Sequence, residues 1–344
     1  MLNVNGHKNF TAGGDPEAEK LLGQLLNDLS SELALCGLSV YLGGSYGRGE
    51  GGVRSDRENG ILYNDLDFFV FGRKKPPQAA GKLKDLAWKY EKIAQVDVDF
   101  SSIMTVGDIK NNARRLMMQE LKRGHRLVCG EDLLAEYLPE YPAEELPFSE
   151  ACRLLFNRGM GLLMARKKIS ENSGDIDFIL RNICKAILGV TDAVAMASGQ
   201  YKWKIAERLS WVDSSDLPEG WKKLYRQAVA FKQAPRREAA ADLSVLSAEA
   251  GDFFRQGILR CAGAAQPGEL AEKLYFCSRK AGETSLKNYA KYCVKTRSVV
   301  LHDWRKYTLP AVSNILPDLY EALQAEPEKF DWQGKLYRHW LIFN

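Results

Sequence analysis

Two aspartates two residues apart, Asp65 and Asp67, sit in or beside the apolar run Leu66-Asp67-Phe68-Phe69-Val70-Phe71. On a strand, residues i and i+2 share a face, so the two carboxylates project together while Leu66, Phe68 and Val70 face a core. Neighbouring carboxylates repel unless a cation lies between them, and aspartate is a poor strand residue. Mg²⁺ would resolve both points, being held by one or two carboxylates together with substrate phosphates. Two solvated aspartates on a sheet face would be the plainer reading, but it gives no reason for placing them in so apolar a strand. Val96-Asp97-Val98-Asp99-Phe100-Ser101 repeats the alternation. An acid on a second strand would complete a site for two metal ions. Spacing alone leaves Asp97 and Asp99 both open for that place, so the candidate ligands of two Mg²⁺ ions are Asp65, Asp67, Asp97 and Asp99.

Upstream lies Gly43-Gly44-Ser45-Tyr46-Gly47-Arg48-Gly49-Glu50. Gly44 lets the backbone approach a phosphate closely, and the Ser45 hydroxyl adds a donor. A helix beginning at Ser45 would turn its free N–H groups and positive dipole end to an anion. Arg48 suits either a phosphate contact or a brace for the turn, and Glu50 suits a brace. Residues 47–52 also spell G-x-G-x-x-G, but a dinucleotide-binding fold needs a long helix next, and here a polar loop and an acid-bearing strand follow. A kinase glycine loop needs valine where Arg54 stands, and no Walker lysine is present.

These residues need a scaffold. A chain of 344 residues suggests two domains at about one per 150 residues, and 45% apolar with 27% charged residues is ordinary for a globular protein. The net charge of +4 permits an anionic ligand but does not argue for nucleic acid. No apolar run has the length of a membrane span, and Met1–Phe10 lacks a signal-peptide core, so a cytoplasmic protein without a membrane partner is expected. The seven cysteines are scattered without a Cys-x-x-Cys pair, and the four histidines never pair at metal-ligand spacing, so both sets read as structural.

Asp15-Pro16 should open a helix running to about Cys36, with a stripe of Leu21, Leu22, Leu25, Leu26, Leu29 and Leu33. Residues 38–42 read as a strand, Gly51–Gly60 as a mobile polar loop, Tyr63–Phe71 as a strand, Ala79–Ala94 as an amphipathic helix, residues 95–101 as a third strand, Val106–Arg123 as one helix, and His125–Cys129 as a last short strand. Pro139, Pro142 and Pro147 mark a boundary. Beyond it the patterns are helical, and the C-terminal aromatics (Trp304, Tyr307, Phe330, Trp332, Tyr337, Trp340, Phe343) read as core filling. The expected architecture is an α+β domain at residues 1–140, a small mixed sheet with helices, followed by an all-α domain at 148–344.

The combination Gly44-Ser45-x-x-Arg48-Gly49-Glu50, then Asp65-x-Asp67, then an acid on a later strand resembles the polymerase-β-type nucleotidyltransferase superfamily, in the spelling of its bacterial members. The resemblance covers about residues 35–132. It implies an Mg²⁺-dependent enzyme that moves a nucleoside monophosphate, AMP from ATP in the first instance, to a hydroxyl or similar acceptor with release of pyrophosphate. It implies catalytic and metal roles for Asp65, Asp67 and Asp99, since Asp99-Phe100-Ser101 fits the family's third acid better than Asp97-Val98-Asp99 does. It implies triphosphate binding at Gly44, Ser45 and Arg48, and a helical domain closing the cleft. There Lys185 is the candidate lysine for the triphosphate, with Arg153, Asn157 and Arg158 as further lining. About fourteen residues, Gly51–Asn64, intervene where the family has a short link, which suggests a lid or an acceptor-recognition loop. The acceptor is open among a small molecule, a protein and RNA. Basic runs at Lys122–Arg126, Arg166–Lys168 and Lys291–Lys306 are the features that would speak for RNA. A second-messenger or oligonucleotide synthase of the cyclic GMP-AMP synthase-like group, and an inactive nucleotide-binding regulatory module, are the alternatives.

Overall fold

The computed structural model describes residues 9–34, 36–55, 60–236, 242–297, 304–332 and 334–343. The chain divides into two compact units, residues 1–141 with 230–236, and residues 142–229 with 237–344. Sequence patterning alone keeps 230–236 with the helical half; their contacts place them in the first unit.

The first unit is a small mixed sheet with helices on both faces. Helix α1 (Pro16–Leu33) starts as its sequence dictates, with Asp15 accepting the Ala18 N–H and proline in the first turn. Leu22, Leu25, Leu26, Leu29 and Leu33 are buried. Strand β1 (Ser39–Leu42) is buried throughout and delivers the one-turn helix α2 (Gly44–Gly47). Strand β2 (Leu66–Gly72), helix α3 (Ala79–Ala94) and strand β3 (Val98–Phe100) follow. Next come strand β4 (Met104–Thr105), helices α4 (Val106–Asn111) and α5 (Leu116–Arg123), strand β5 (Arg126–Cys129) and helix α6 (Leu133–Tyr137). The strand order is β3-β2-β1-β5, with β4 continuing along the same side of β2. β1 pairs antiparallel with β2 and β5, while β3 and β4 lie parallel to β2.

Both faces of β2 are covered beyond Asp67, which is why Phe68-Phe69-Val70-Phe71 is apolar without alternation. Leu66, Phe68 and Val70 join the core formed with α1 and α3. Phe69 and Phe71 pack with Tyr41, Ile109, Met118, Leu121, Leu133 and Leu134 from the α4–α6 side. Asp67 shares the face of Phe69 and Phe71 but lies at its end, where it is only half-buried.

Several expected boundaries move. The Asp-x-Asp strand begins at Leu66 rather than Tyr63, and the third strand at Val98 rather than Gln95, so Asp65 and Asp97 each directly precede a strand. Gln95 is the left-handed cap of α3 (φ 56°), which occupies the start of the expected strand with a turn. The single helix expected over Val106–Arg123 is two helices. α4 is opened by a capping box between Thr105 and Asp108 and closed at Asn112, whose side chain donates to the Asp108 carbonyl. Ser101 explains the break between β3 and β4, because its hydroxyl takes the place of a backbone carbonyl and accepts the Val70 N–H at 3.0 Å.

The second unit contains helices α7 (Phe148–Ser170), α8 (Ile176–Ala197), α9 (Ile205–Ser214), α10 (Glu219–Gln233, its last residues counted with the first unit), α11 (Leu243–Ala262), α12 (Leu270–Lys280), α13 (Leu286–Thr296), α14 (Ala311–Asn314), α15 (Leu316–Gln324) and α16 (Lys335–Phe343). No strand occurs in it among the described residues. The C-terminal aromatics are half-buried in a chain of ring contacts rather than deep in a core, and Trp304 is 44% exposed. Among the described residues, no helix is long and apolar enough to cross a membrane.

The cysteines are free thiols. Burial pushes the Cys129 thiol up to about 11 and the Cys184 and Cys261 thiols up to about 12, as suits small apolar side chains. His125 and His339 are buried, and burial pushes His339 down to about 4. His7 and His302 lie outside the described residues.

Candidate functional site

The register of β2 and β3 assembles the site. Leu66 lies opposite Val98, Asp67 opposite Asp99, and Phe68 opposite Phe100. Parallel neighbours about 4.8 Å apart turn paired side chains to one face, so Asp67 and Asp99 share it. Asp65 is tied in by the neighbouring Leu66 N–H, which donates to the Asp97 carbonyl at 2.9 Å. The clustering of charge is felt at Asp99. Partial burial, then the Asp65 and Asp97 carboxylates, then Glu91, push its carboxyl above the ordinary value of 3.8. Sequence spacing left Asp97 and Asp99 open, and the register pairs Asp99 with Asp67. Asp97 and Asp99 are both exposed, and the Asp97 backbone carbonyl is what holds the strand entry.

The glycine turn abuts this pair. The Gly43 N–H donates to the Asp67 carbonyl at 2.8 Å. Gly44 has φ +60°, and a β-carbon there would lie 2.2 Å from Asp67 Oδ2. Gly44 therefore needs both a left-handed backbone and the absence of a side chain, and the reason is the carboxylate beside it. Ser45 is half-buried in the same turn. The helix starts at Gly44, one residue before the expected start, and is a single turn, so its dipole is that of a few peptides. Any anion held here would rest on the turn's own N–H groups and the Ser45 hydroxyl.

Of the two roles open to Arg48, the structure shows the brace. Its guanidinium lies 3.4 Å from Glu50 Oε2 and 3.4 Å from Glu120 Oε2, and Lys232 Nζ reaches Glu50 at 3.8 Å. Glu50 thus fixes the turn, as its position suggested.

Tyr46 was missed from sequence. Its hydroxyl is buried, donates to the Gly52 carbonyl at 2.8 Å, and accepts the N–H groups of Tyr63 (2.9 Å) and Asn64 (3.3 Å). Asn64 Oδ1 accepts the Gly52 N–H at 2.8 Å. One side chain of the glycine turn therefore ties both ends of the 51–64 insert, just before Asp65. Burial pushes the Tyr46 hydroxyl up to about 12, so it remains a donor at any ordinary pH. The insert is further ordered by the Val53–Leu62 bridge, the Arg54 N–H on the Ile61 carbonyl, and the Ser55 hydroxyl on the Pro235 carbonyl. Residues 56–59 of the expected mobile loop lie outside the described residues. Tyr46→Phe would leave two N–H groups and a carbonyl without this partner. It is expected to cost about 1–3 kcal/mol in urea unfolding.

In the second unit, Lys185 lies half-buried on α8, and its place in a triphosphate site rests on the resemblance alone. Arg153 pairs with Glu150 and donates to the Phe343 carbonyl, and Asn157 accepts the Trp340 indole N–H at 3.0 Å. Arg158 packs its stem against Gly189. The first two hold the C-terminal helix, a role the helical pattern did not disclose. Two of the basic runs are occupied internally. Lys122 donates to the Leu134 carbonyl, Arg123 to the Tyr141 carbonyl, and Arg166 to the Leu323 and Ala325 carbonyls, while Lys167 and Lys168 pair with Glu171 and Asp175. The third run falls partly outside the described residues.

Among the described residues, no group of three or more His, Cys, Asp or Glu side chains could hold a metal ion. Mg²⁺ asks less of a protein, one or two carboxylates with phosphates and water supplying the remaining oxygens, and the Asp67–Asp99 pair with Asp65 beside it fits that requirement. The raised carboxyl of Asp99 makes a prediction. A carboxyl that holds its proton more tightly folded than unfolded withholds stability as pH rises through and above its ordinary value. Asp99→Asn is therefore expected to raise the melting temperature at pH 7 in metal-free, low-salt buffer, with the advantage shrinking towards pH 3. A melting series across that range, in which the variant gains nothing at pH 7, would contradict the crowding of charge.

No family model, curated protein or solved structure matches the chain.

Proposed function

We propose that the chain is an Mg²⁺-dependent nucleotidyltransferase that moves a nucleoside monophosphate, AMP from ATP in the first instance, to a hydroxyl-type acceptor. The observation that carries this reading is the register placing Asp67 opposite Asp99, with the Gly44 turn pressed against Asp67. A phosphate at that turn would lie beside the acids. The resemblance implies the order strand, Gly-Ser turn, helix, Asp-x-Asp strand, helix, acid strand, and the elements follow it with the first of those helices cut to the single turn Gly44–Gly47.

In this reading, Gly44 and Ser45 position the polyphosphate through backbone N–H groups and the hydroxyl. Asp67 and Asp99 present oxygen ligands on one side of it, with Asp65 beside them. Mg²⁺, when bound, would neutralise phosphate charge and lower the pKa of the attacking hydroxyl. Asp99 is the candidate to take the acceptor's proton. Tyr46 keeps the turn and the acid strand in fixed relation, and the 51–64 insert it anchors is the first candidate for acceptor recognition. Calorimetric titration with ATP tests the reading: Mg²⁺-dependent binding that is lost in Asp67→Asn is expected, and no nucleotide binding with Mg²⁺ present would reject it.

A further inference from the structure

A cavity of about 390 Å³ lies within the second unit, among α12, α14 and the short turn before α14. This size falls in the range of small-molecule sites. Its walls are apolar at Leu274 and Leu309, both buried. Three cations line it, Arg279, Arg305 and Lys306, against one carboxylate, Glu272.

Several other cations of this unit are paired, among them Arg226 with Asp213 and Glu219, Arg260 with Asp216, and Lys335 with Asp318. Among the described residues, Arg279, Arg305 and Lys306 have no such partner. Like charges gathered at one concavity focus a positive potential and are relieved by an anion. Asn314 also lines the cavity, is only 7% exposed, and has no side-chain hydrogen bond among the described residues. Its amide atoms are not sealed from solvent, so a ligand in the cavity with a donor or acceptor can pair with them.

We propose that this cavity binds a small amphipathic anion, an apolar or aromatic body carrying one phosphate, sulfonate or carboxylate. The apolar walls take the body, the three cations hold the charged head, and Asn314 reads one further polar atom. The site lies wholly within the second unit and stands independently of the nucleotidyltransferase reading.

The probe is anilinonaphthalene sulfonate, with the uncharged phenylnaphthylamine as its control, titrated calorimetrically against the full chain. One saturable sulfonate site is expected, weakening as salt rises, with the uncharged compound bound at least about tenfold more weakly because it forgoes the charge-assisted contacts. Arg305→Gln combined with Lys306→Gln should raise the sulfonate's Kd by about tenfold or more. Both positions are exposed, so the fold should survive. Ala271→Trp, at an exposed position on the lining, should block the cavity sterically and abolish the same site. Equal binding of the two probes, or sulfonate binding unchanged in both variants, would overturn the proposal. Inorganic phosphate at the same concentration should not displace the sulfonate; displacement would show a bare anion site and remove the apolar part of the inference.

Discussion

Asp67→Asn is expected to fold as the wild type does and to lose Mg²⁺-dependent nucleotide transfer by at least a hundredfold, the scale on which removing one preorganised electrostatic group acts. The substitution keeps shape and volume, so the fit against Gly44 survives and circular dichroism and melting should change little. What it removes is the charge at the centre of the site, the carboxylate opposite Asp99 and flush with the turn. The loss should appear in KM as well as kcat, because in the proposed reading the carboxylate supports Mg²⁺-dependent nucleotide binding as well as the charge that develops in the transition state. Asp99→Asn should lose activity too while gaining stability. That opposition of stability and activity separates a site from a structural feature. Wild-type turnover in Asp67→Asn would show that the acids are not the working groups.

Gly44→Ala should lose activity on a similar scale for a different reason. The left-handed backbone costs an alanine about 1–2 kcal/mol. The larger effect is geometric: a β-carbon 2.2 Å from Asp67 Oδ2 forces the carboxylate or the turn aside. Displacement by about 1 Å can cost about a hundredfold in rate. Gly81→Ala is the matched control. It sits in α3 with nothing within 4 Å of the added carbon, and should gain about 0.5–1 kcal/mol while leaving activity unchanged. Activity surviving in Gly44→Ala would mean that the turn and the acids work apart.

What could be read from sequence was what repeats locally. The stripe of α3 gave its ends at Ala79 and Ala94, and the Asp15-Pro16 cap gave the start of α1, because both follow from neighbours within a few residues. The same-face placement of Asp67 and Asp99 could be suspected from alternation alone. Their pairing could not, since it depends on the register after a sixteen-residue crossover helix. The insert read as loose because its order comes from distant partners: the Tyr46 hydroxyl, and the carbonyl of Pro235, 180 residues from Ser55. Arg48 was ambiguous for the same reason, as Glu120 lies 72 residues away. Lone tyrosines in a glycine turn carry no outward sign of a buried three-way hydrogen bond, yet Tyr46 is the side chain that joins the turn, the insert and the acid strand.

The most direct test of the central claim is the position of the label transferred from ATP. The protein is incubated with Mg²⁺ and cell extract in the presence of either α-phosphorus-labelled or γ-phosphorus-labelled ATP. An acceptor fraction is expected to gain the α label and not the γ label, labelled pyrophosphate to accumulate in the γ arm, and both signals to vanish in Asp67→Asn. Transfer of the γ label to the acceptor, or α labelling that persists in Asp67→Asn, would contradict the central claim.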